Sequence, residues 1–401
     1  MTDNSAYLVS GLRTPVGRYG GALSSVRADD LAALAIKAVI ADSGIDPGSV
    51  DEVILGNANG AGEDNRNVAR MAWLLAGFPD TVPGITVNRL CASGMSAISM
   101  AAALVESGQA DIVVAGGVES MSRAPWVMEK PRQAFSRPGE VFDTSIGWRF
   151  VNPVFQAQEK TTYSMPETAE EVARVCSISR ERADAFAAQS QHRAAEAMSA
   201  GRFTPEIIPV EVRDRKGNTT VIREDEGPRP GTTMEVLGKL RPVVSEGTVV
   251  TAGNSSTLND GSSAIIVCSK RALEKYNLTP RARFVGSAVA GLAPEVMGLG
   301  PVSATNSLLK RIGREIDDVD AVELNEAFAS QSLACIDQLG LDQETVNSWG
   351  GAIAMGHPLG SSGTRITITL LNRLEQDGGD LGIATMCIGV GQGQAIAIEK
   401  M

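Results

Sequence analysis

The sequence predicts an α/β fold made of two copies of one unit, with a differently composed segment set between them. Three observations predict it. Short β-branched runs alternate with helical apolar spacing from the start of the chain, the rhythm of βαβ units in a sheet. Two stretches recur: Val50-Asp-Glu-Val-Ile-Leu-Gly-Asn-Ala resembles Val319-Asp-Ala-Val-Glu-Leu-Asn-Glu-Ala, and Leu104-Val-Glu-Ser-Gly-Gln-Ala-Asp-Ile-Val-Val-Ala-Gly-Gly aligns without a gap on Glu375-Gln-Asp-Gly-Gly-Asp-Leu-Gly-Ile-Ala-Thr-Met-Cys-Ile. Residues 122–246, between the copies, are punctuated by prolines with arginines among them and hold no third copy.

Taken in order, residues 6–10 read as a strand, 31–41 as a helix and 53–55 as a strand. A β-branched run at 85–87 then leads to Cys91, and Ala97, Ile98, Met100, Ala101, Ala102, Leu104 and Val105 behind it read as a buried helix. The first copy is thus expected over 1–121, interrupted by the segment 122–246 and completed over 247–271, where the chain returns at Val249 and forms a strand at 264–268. The second copy is expected over 272–401. Within the inserted segment, Ala183, Phe186, Ala187, Ala194 and Ala197 mark an amphipathic helix over 180–199. On the register of the repeat Cys91 falls on Ser362, so the loop 350–361 is expected at the mirror-related place, two related turns facing across a pseudo-twofold axis.

Composition narrows the function. A chain of 401 residues with 43% hydrophobic content can bury a large core, and a net charge of −11 argues against nucleic acid or an anionic membrane as partner. No apolar run reaches the roughly 18 residues a bilayer span requires. Five cysteines without CxxC spacing indicate free thiols in a reducing cytoplasm rather than a disulfide framework or a metal site.

Cys91 carries the sharpest signal. It sits where a strand turns into a helix, and the unpaired N–H groups and positive dipole end of a helix N-terminus favour a thiolate. Only two histidines exist. His192 lies among Gln191, Arg193 and Glu196 and reads as a solvated surface residue, whereas His357 lies in Trp349-Gly-Gly-Ala-Ile-Ala-Met-Gly-His-Pro-Leu-Gly-Ser-Ser-Gly, where Pro358 restricts the histidine's backbone. An imidazole is the natural base for a thiol. Cys387 ends a strand and opens Ile388-Gly-Val-Gly-Gln-Gly, a turn whose N–H groups can form an oxyanion hole. Asn325 and Glu326 sit at another strand end. Cys176, Cys268 and Cys335 read as core thiols.

Asn88-Arg-Leu-Cys-Ala-Ser-Gly-Met, Gly116-Gly-Val-Glu-Ser-Met-Ser, Asn325-Glu-Ala-Phe-Ala, Gly350-Gly-Ala-Ile-Ala-Met-Gly-His-Pro-Leu-Gly and Cys387-Ile-Gly-Val-Gly-Gln-Gly together resemble the thiolase family. The resemblance implies two βαβαβαββ halves in five layers (αβαβα) with a loop domain inserted in the first half. It implies an acyltransferase acting on acyl-CoA with CoA as co-substrate, without a metal or other cofactor, and assembled as a homodimer or homotetramer. By the same resemblance Cys91 is the acylated nucleophile, His357 its base, and Cys387 the acid/base at the α-carbon of acetyl-CoA. His357 with a water held by Asn325 would form one oxyanion hole, and the N–H groups of Cys91 and Gly389 the other. Arg229 and Ser256 match CoA-contacting positions, and Met165, Met297 and Phe328 are expected to line the acyl pocket. The chain departs from the family pattern at Ser164, Thr257 and Val390, which stand where many relatives have histidine, glycine and glycine.

Ile146-Gly-Trp-Arg-Phe-Val-Asn-Pro, Ser164-Met-Pro-Glu-Thr-Ala-Glu and the Cys387 turn look more like 3-oxoadipyl-CoA thiolases of aromatic-compound catabolism than acetoacetyl-CoA enzymes. A dicarboxylic substrate needs a partner for its far carboxylate. Arg149 is the candidate for that pairing. The alternatives are a general short-chain acetyl-CoA acetyltransferase, a fatty-acid 3-ketoacyl-CoA thiolase, or a non-catalytic CoA- or lipid-binding protein of the same fold.

Overall fold

The computed structural model describes residues 4–131 and 133–401. The first half opens with strand β1 (Ala6–Arg13), the short β2 (Gly17–Arg18) and helix α1 (Ala28–Ser43). Acidic Asp29 and Asp30 in the first turn and a left-handed Gly44 at the end suit the dipole and the cap of α1, whose Leu31, Ala32, Ala35, Ile36 and Val39 face the core. Strand β3 (Glu52–Gly56), helix α2 (Val68–Leu75), strand β4 (Gly84–Val87), helix α3 (Ser93–Glu106) and strand β5 (Ile112–Ser120) follow.

Here the chain leaves the sheet. It forms the hairpin of β6 (Trp126–Met128) and β7 (Val141–Asp143), helices α4 (Pro153–Gln156), α5 (Met165–Val175) and α6 (Arg180–Ser199), the hairpin of β8 (Val210–Arg213) and β9 (Thr219–Ile222), and helix α7 (Met234–Gly238). The helix expected at 180–199 has those bounds, and Ser179 starts it by accepting the Arg182 N–H. His192 is exposed and pairs with Glu196 one turn on. The segment is tied to the first strand by Arg13, whose buried guanidinium meets Glu206 at 2.6 Å and Asp225 at 2.6 Å.

Strand β10 (Asn259–Ser269) and helix α8 (Lys270–Tyr276) complete the first half. The second half runs β11 (Ala282–Gly291), α9 (Gly300–Ile312), β12 (Ala321–Leu324), α10 (Ala329–Leu339), α11 (Ala352–Met355), α12 (Leu359–Gln376), β13 (Leu381–Ile388) and β14 (Gln392–Lys400).

The strand order, β12-β13-β14-β11-β1-β10-β5-β3-β4, makes the twofold relation visible. In each half three central strands pair antiparallel (β1, β10 and β5; β11, β14 and β13) and the strands outside them pair parallel, and the halves join where β1 lies antiparallel to β11 through Tyr7–Arg283 and Leu8–Ala282. The counterpart of β4 is reduced to one bridge, Val322–Val346. Helices α3 and α12 form the middle layer, burying Ile98, Ala101, Ile366, Ile368, Leu370 and Leu371 with residues of both halves' strands. Helices α1 and α2 cover the first half's other face, and α9 covers the second's. The result is the five-layer αβαβα arrangement.

In that middle layer α3 and α12 touch backbone to backbone. A Cβ added at Gly94 would lie 2.7 Å from the Gly360 carbonyl oxygen, and one at Gly363 would lie 2.4 Å from the Met95 nitrogen. Both positions therefore admit only glycine without displacement. One sequence expectation changes here. Ser362 is not in a turn before its helix but in the first turn of α12, because the helix starts at Leu359 directly after Pro358.

Candidate active site

The turn carrying Cys91 is a single tight turn, Leu90–Ala92, between β4 and α3. Leu90 takes φ 46°, a left-handed conformation costing an ordinary residue roughly 1–2 kcal/mol. Side chains hold it there. Asn88 Oδ1 accepts the Leu90 N–H at 2.8 Å while Asn88 Nδ2 donates to the Ala58 carbonyl at 2.9 Å. Ser93 Oγ accepts the Arg89 N–H at 2.9 Å and donates to the Leu90 carbonyl at 2.6 Å.

The N–H groups of Gly389 and of Cys91 itself both favour charge on the Cys91 sulfur, so the two donors expected at an oxyanion act on the same atom. Burial nonetheless pushes the thiol up to about 11, with the Glu119 carboxylate adding to the rise. The expectation of a thiolate stabilised by the helix N-terminus is corrected accordingly: enclosure outweighs the N–H groups, and the resting group is a thiol.

His357 is buried, and burial together with the Arg365 charge depresses its pKa to about 3. The imidazole is therefore neutral. Its tautomer follows from its neighbours. The Ser362 hydroxyl donates its one proton to the Pro358 carbonyl at 2.9 Å, so it accepts from Nδ1–H of His357 at 2.7 Å. Nε2 is left bare, with Asn325 Nδ2 donating toward it at 3.4 Å. Asn325 Oδ1 is buried without a hydrogen-bond partner among the described residues. The histidine's own N–H reaches Asn259 Oδ1 at 2.9 Å.

Cys387 is buried in the penultimate position of β13, its pKa raised by burial and by nearby Cys91. It packs in one apolar cluster with Met165, Met297 and Phe328, three residues expected in the acyl pocket. Met165 also borders Gly389, where an added Cβ would lie 3.8 Å from its sulfur. The capping box formed by Ser164 and Glu167 places Met165 at the start of α5. Val390, beside Gly389, takes φ 64° although β-branched. Cys268 and Cys335 are fully buried, whereas Cys176 is only half-buried at the C-terminal end of α5, so it lies at the core's edge rather than within it.

Arg149 is half-buried. Its Nη2 donates to Asn59 Oδ1 at 2.9 Å, and among the described residues no carboxylate pairs with it. Arg229 lines a cleft of about 320 Å³ with Arg18, Gln191, Thr257, Ile353 and Ala354, the last two on the helix preceding His357. Ser256 stands next to Thr257 and donates its backbone N–H to the Ala327 carbonyl at 2.9 Å. Thr257 Oγ1 donates to Asn259 Oδ1 at 2.8 Å, joining the brace on His357.

Several residues in these contacts escaped the sequence reading as functional candidates: Ser362, Asn259, Glu119, Asn59 and Arg18. The motif containing Glu119 was visible, and a carboxylate within the largely apolar strand Ile112–Ser120 is a signal in itself. Glu326, noted only as a strand-end residue, braces the histidine loop by accepting from Ser190 Oγ at 2.6 Å, Asn347 Nδ2 at 2.9 Å and the Ile353 N–H at 3.1 Å.

Comparison with known proteins agrees with this geometry. Residues 6–271 match the thiolase N-terminal domain and residues 278–400 the thiolase C-terminal domain. The chain is 55% identical over 402 residues to the beta-ketoadipyl-CoA thiolase of Pseudomonas aeruginosa, covering 100% of both. It is 53% identical over 399 residues to the 3-oxoadipyl-CoA/3-oxo-5,6-dehydrosuberyl-CoA thiolase of Escherichia coli K12, covering 99% of both. Among solved structures, human mitochondrial 3-ketoacyl-CoA thiolase superposes with a TM-score of 0.91 at 40% identity, and Bacillus anthracis acetyl-CoA acetyltransferase with 0.93 at 39%, each over 99% of both chains.

Proposed function

The chain belongs to the thiolase family, and on that premise we propose that it cleaves 3-oxoadipyl-CoA with coenzyme A to acetyl-CoA and succinyl-CoA through an acyl-Cys91 intermediate. The observation that carries this reading is the seating of the Cys91 turn against Gly389, where an added Cβ would lie 3.1 Å from Leu90 Cδ1 and where the N–H favours charge on the Cys91 sulfur. It joins the nucleophile turn of the first half to the strand end bearing Cys387 in the second.

In the cleavage direction His357 Nε2 takes the Cys91 proton and the sulfur attacks the 3-keto carbon. The N–H groups of Cys91 and Gly389 stabilise the tetrahedral oxyanion. The C2–C3 bond breaks, and its electron pair passes into the enolate of acetyl-CoA, stabilised by His357 and a water on Asn325. Cys387, kept neutral by burial, protonates that enolate. The CoA thiol then gives its proton to Cys387 and takes the succinyl group from Cys91, whose sulfur recovers its proton from His357. The cleft holding Arg229, with Ser256 at its margin, receives CoA, and the segment 122–246 supplies most of its wall; the acyl pocket combines Met165 of that segment with Met297 and Phe328 of the second half. No metal or further cofactor enters the scheme.

Full-length identity of 53–55% to proteins named for 3-oxoadipyl-CoA supports that substrate. The carboxylate-free Arg149, linked through Asn59 to the loop that holds Asn88, supplies a partner for the far carboxylate. The open sheet edge at β4, with Ile85 exposed, supports a homo-oligomer, dimer or tetramer. Among the described residues no helix is long and apolar enough to cross a membrane, which accords with a cytoplasmic enzyme.

The test is CoA-dependent cleavage of 3-oxoadipyl-CoA beside acetoacetyl-CoA, with Cys91→Ala as the blank. The dicarboxylic substrate is expected to be preferred, and Arg149→Ala to raise its KM on the order of 10-fold or more while sparing acetoacetyl-CoA. Equal losses on both substrates remove the role of Arg149, and activity surviving in Cys91→Ala removes the mechanism.

A further inference from the structure

Glu119, at the end of β5, is 2% exposed and makes three hydrogen bonds, all with donors. Oε2 accepts the Ala58 N–H at 2.9 Å and the Gly360 N–H at 2.8 Å, and Oε1 accepts the Asn59 N–H at 3.2 Å. Three N–H donors around it favour its ionised form. Its partners come from both halves of the chain. Ala58 and Asn59 belong to the loop after β3, and the Ala58 carbonyl receives Asn88, which fixes Leu90 beside Cys91. Gly360 opens α12 three residues after His357. Asn259, on the neighbouring strand, holds the His357 N–H from the other side.

We propose that Glu119 is a positioning residue that sets the nucleophile turn and the histidine loop in register, by sharing one carboxylate between the backbone of residues 58–59 and that of residue 360. The inference rests on the assignment of Cys91 and His357 as nucleophile and base. An amide at this place would turn an NH2 toward an N–H, so at least one of the three bonds is lost. The charged and titratable groups around the carboxylate are Asp64 from the loop after β3, Cys91 from the nucleophile turn, Arg149 through Asn59, and His357 ahead of Gly360. Burial, opposed by the three N–H groups, raises Glu119 itself to about 7.

The experiment compares Glu119→Gln and Glu119→Asp with the parent enzyme, reading kcat, KM and the pH dependence of Cys91 alkylation by iodoacetamide. Both variants shift the shared contact, and kcat is expected to fall on the order of 100-fold with KM for acyl-CoA and CoA nearly unchanged. Only Glu119→Gln removes the charge, so only in that variant does the alkylation profile move to lower pH: a more reactive resting thiol in a slower enzyme. Unchanged kcat in either variant overturns the proposal. So does a fall in kcat that merely follows loss of folded protein, with the alkylation profile of Glu119→Gln in place. If Glu119→Gln does not fold, kcat of Glu119→Asp decides. Failure of the underlying assignment registers separately, as activity in Cys91→Ala.

Discussion

At the scale of the residue, burial raises the Cys91 thiol to about 11 and, as the largest cause, depresses the His357 imidazole to about 3. Between those values neither group carries a charge in the free enzyme. The alkylation rate of Cys91 should therefore climb with pH through the alkaline range and show no inflection near 6.5, where an exposed histidine would titrate. A plateau of reactivity at neutral pH would instead reveal a preformed ion pair. The reactive side chains were legible in the sequence because their types are scarce, two histidines and five cysteines in the chain. Their partners were not. The Glu119–Gly360 bond spans 241 positions and the Asn259–His357 bond 98, and contacts of such range leave no local pattern to read.

At the scale of the element, α3 and α12 begin two residues after Cys91 and His357, so their crossing sets how the proposed nucleophile and base lie relative to each other. Gly363→Ala would set a methyl carbon 2.4 Å from the Met95 nitrogen, which requires the helices to part. We expect a destabilisation of about 1–3 kcal/mol in urea unfolding and a fall in kcat. A variant of parent stability would show that the crossing has slack. Helices with clear periodicity were legible, and α6 agreed to the residue. The start of α12 was not, because the register of the repeat suggested a turn at Ser362 while Pro358, its ring suited to a helix start, lets the helix begin earlier. The electrostatic advantage of the helix N-terminus beside Cys91 was legible in direction but not in outcome, since the competing cost of enclosure depends on how the second half covers it.

At the scale of the molecule, the buried Arg13 links the first strand to both Glu206 and Asp225 of the inserted segment. Burial works against its charge, and the two carboxylates more than offset that. Asp225→Asn should cost about 3–5 kcal/mol, because it leaves a buried charge short of a partner. A thermal midpoint equal to the parent's would show that Glu206 alone suffices. The duplicated α/β plan was legible because the repeat survives in the sequence. The joining of the halves through β1 and β11 was not, since it rests on two residue pairs with no distinctive side chains. The twofold plan also bears on stoichiometry. Two equal halves could house two equal centres, yet the place related to Cys91 holds Ser362, whose hydroxyl accepts a hydrogen bond from Nδ1–H of His357. On the proposed assignment of Cys91 as nucleophile, only one of the two related places can be acylated, so a saturated chain is expected to carry one acyl group and never two.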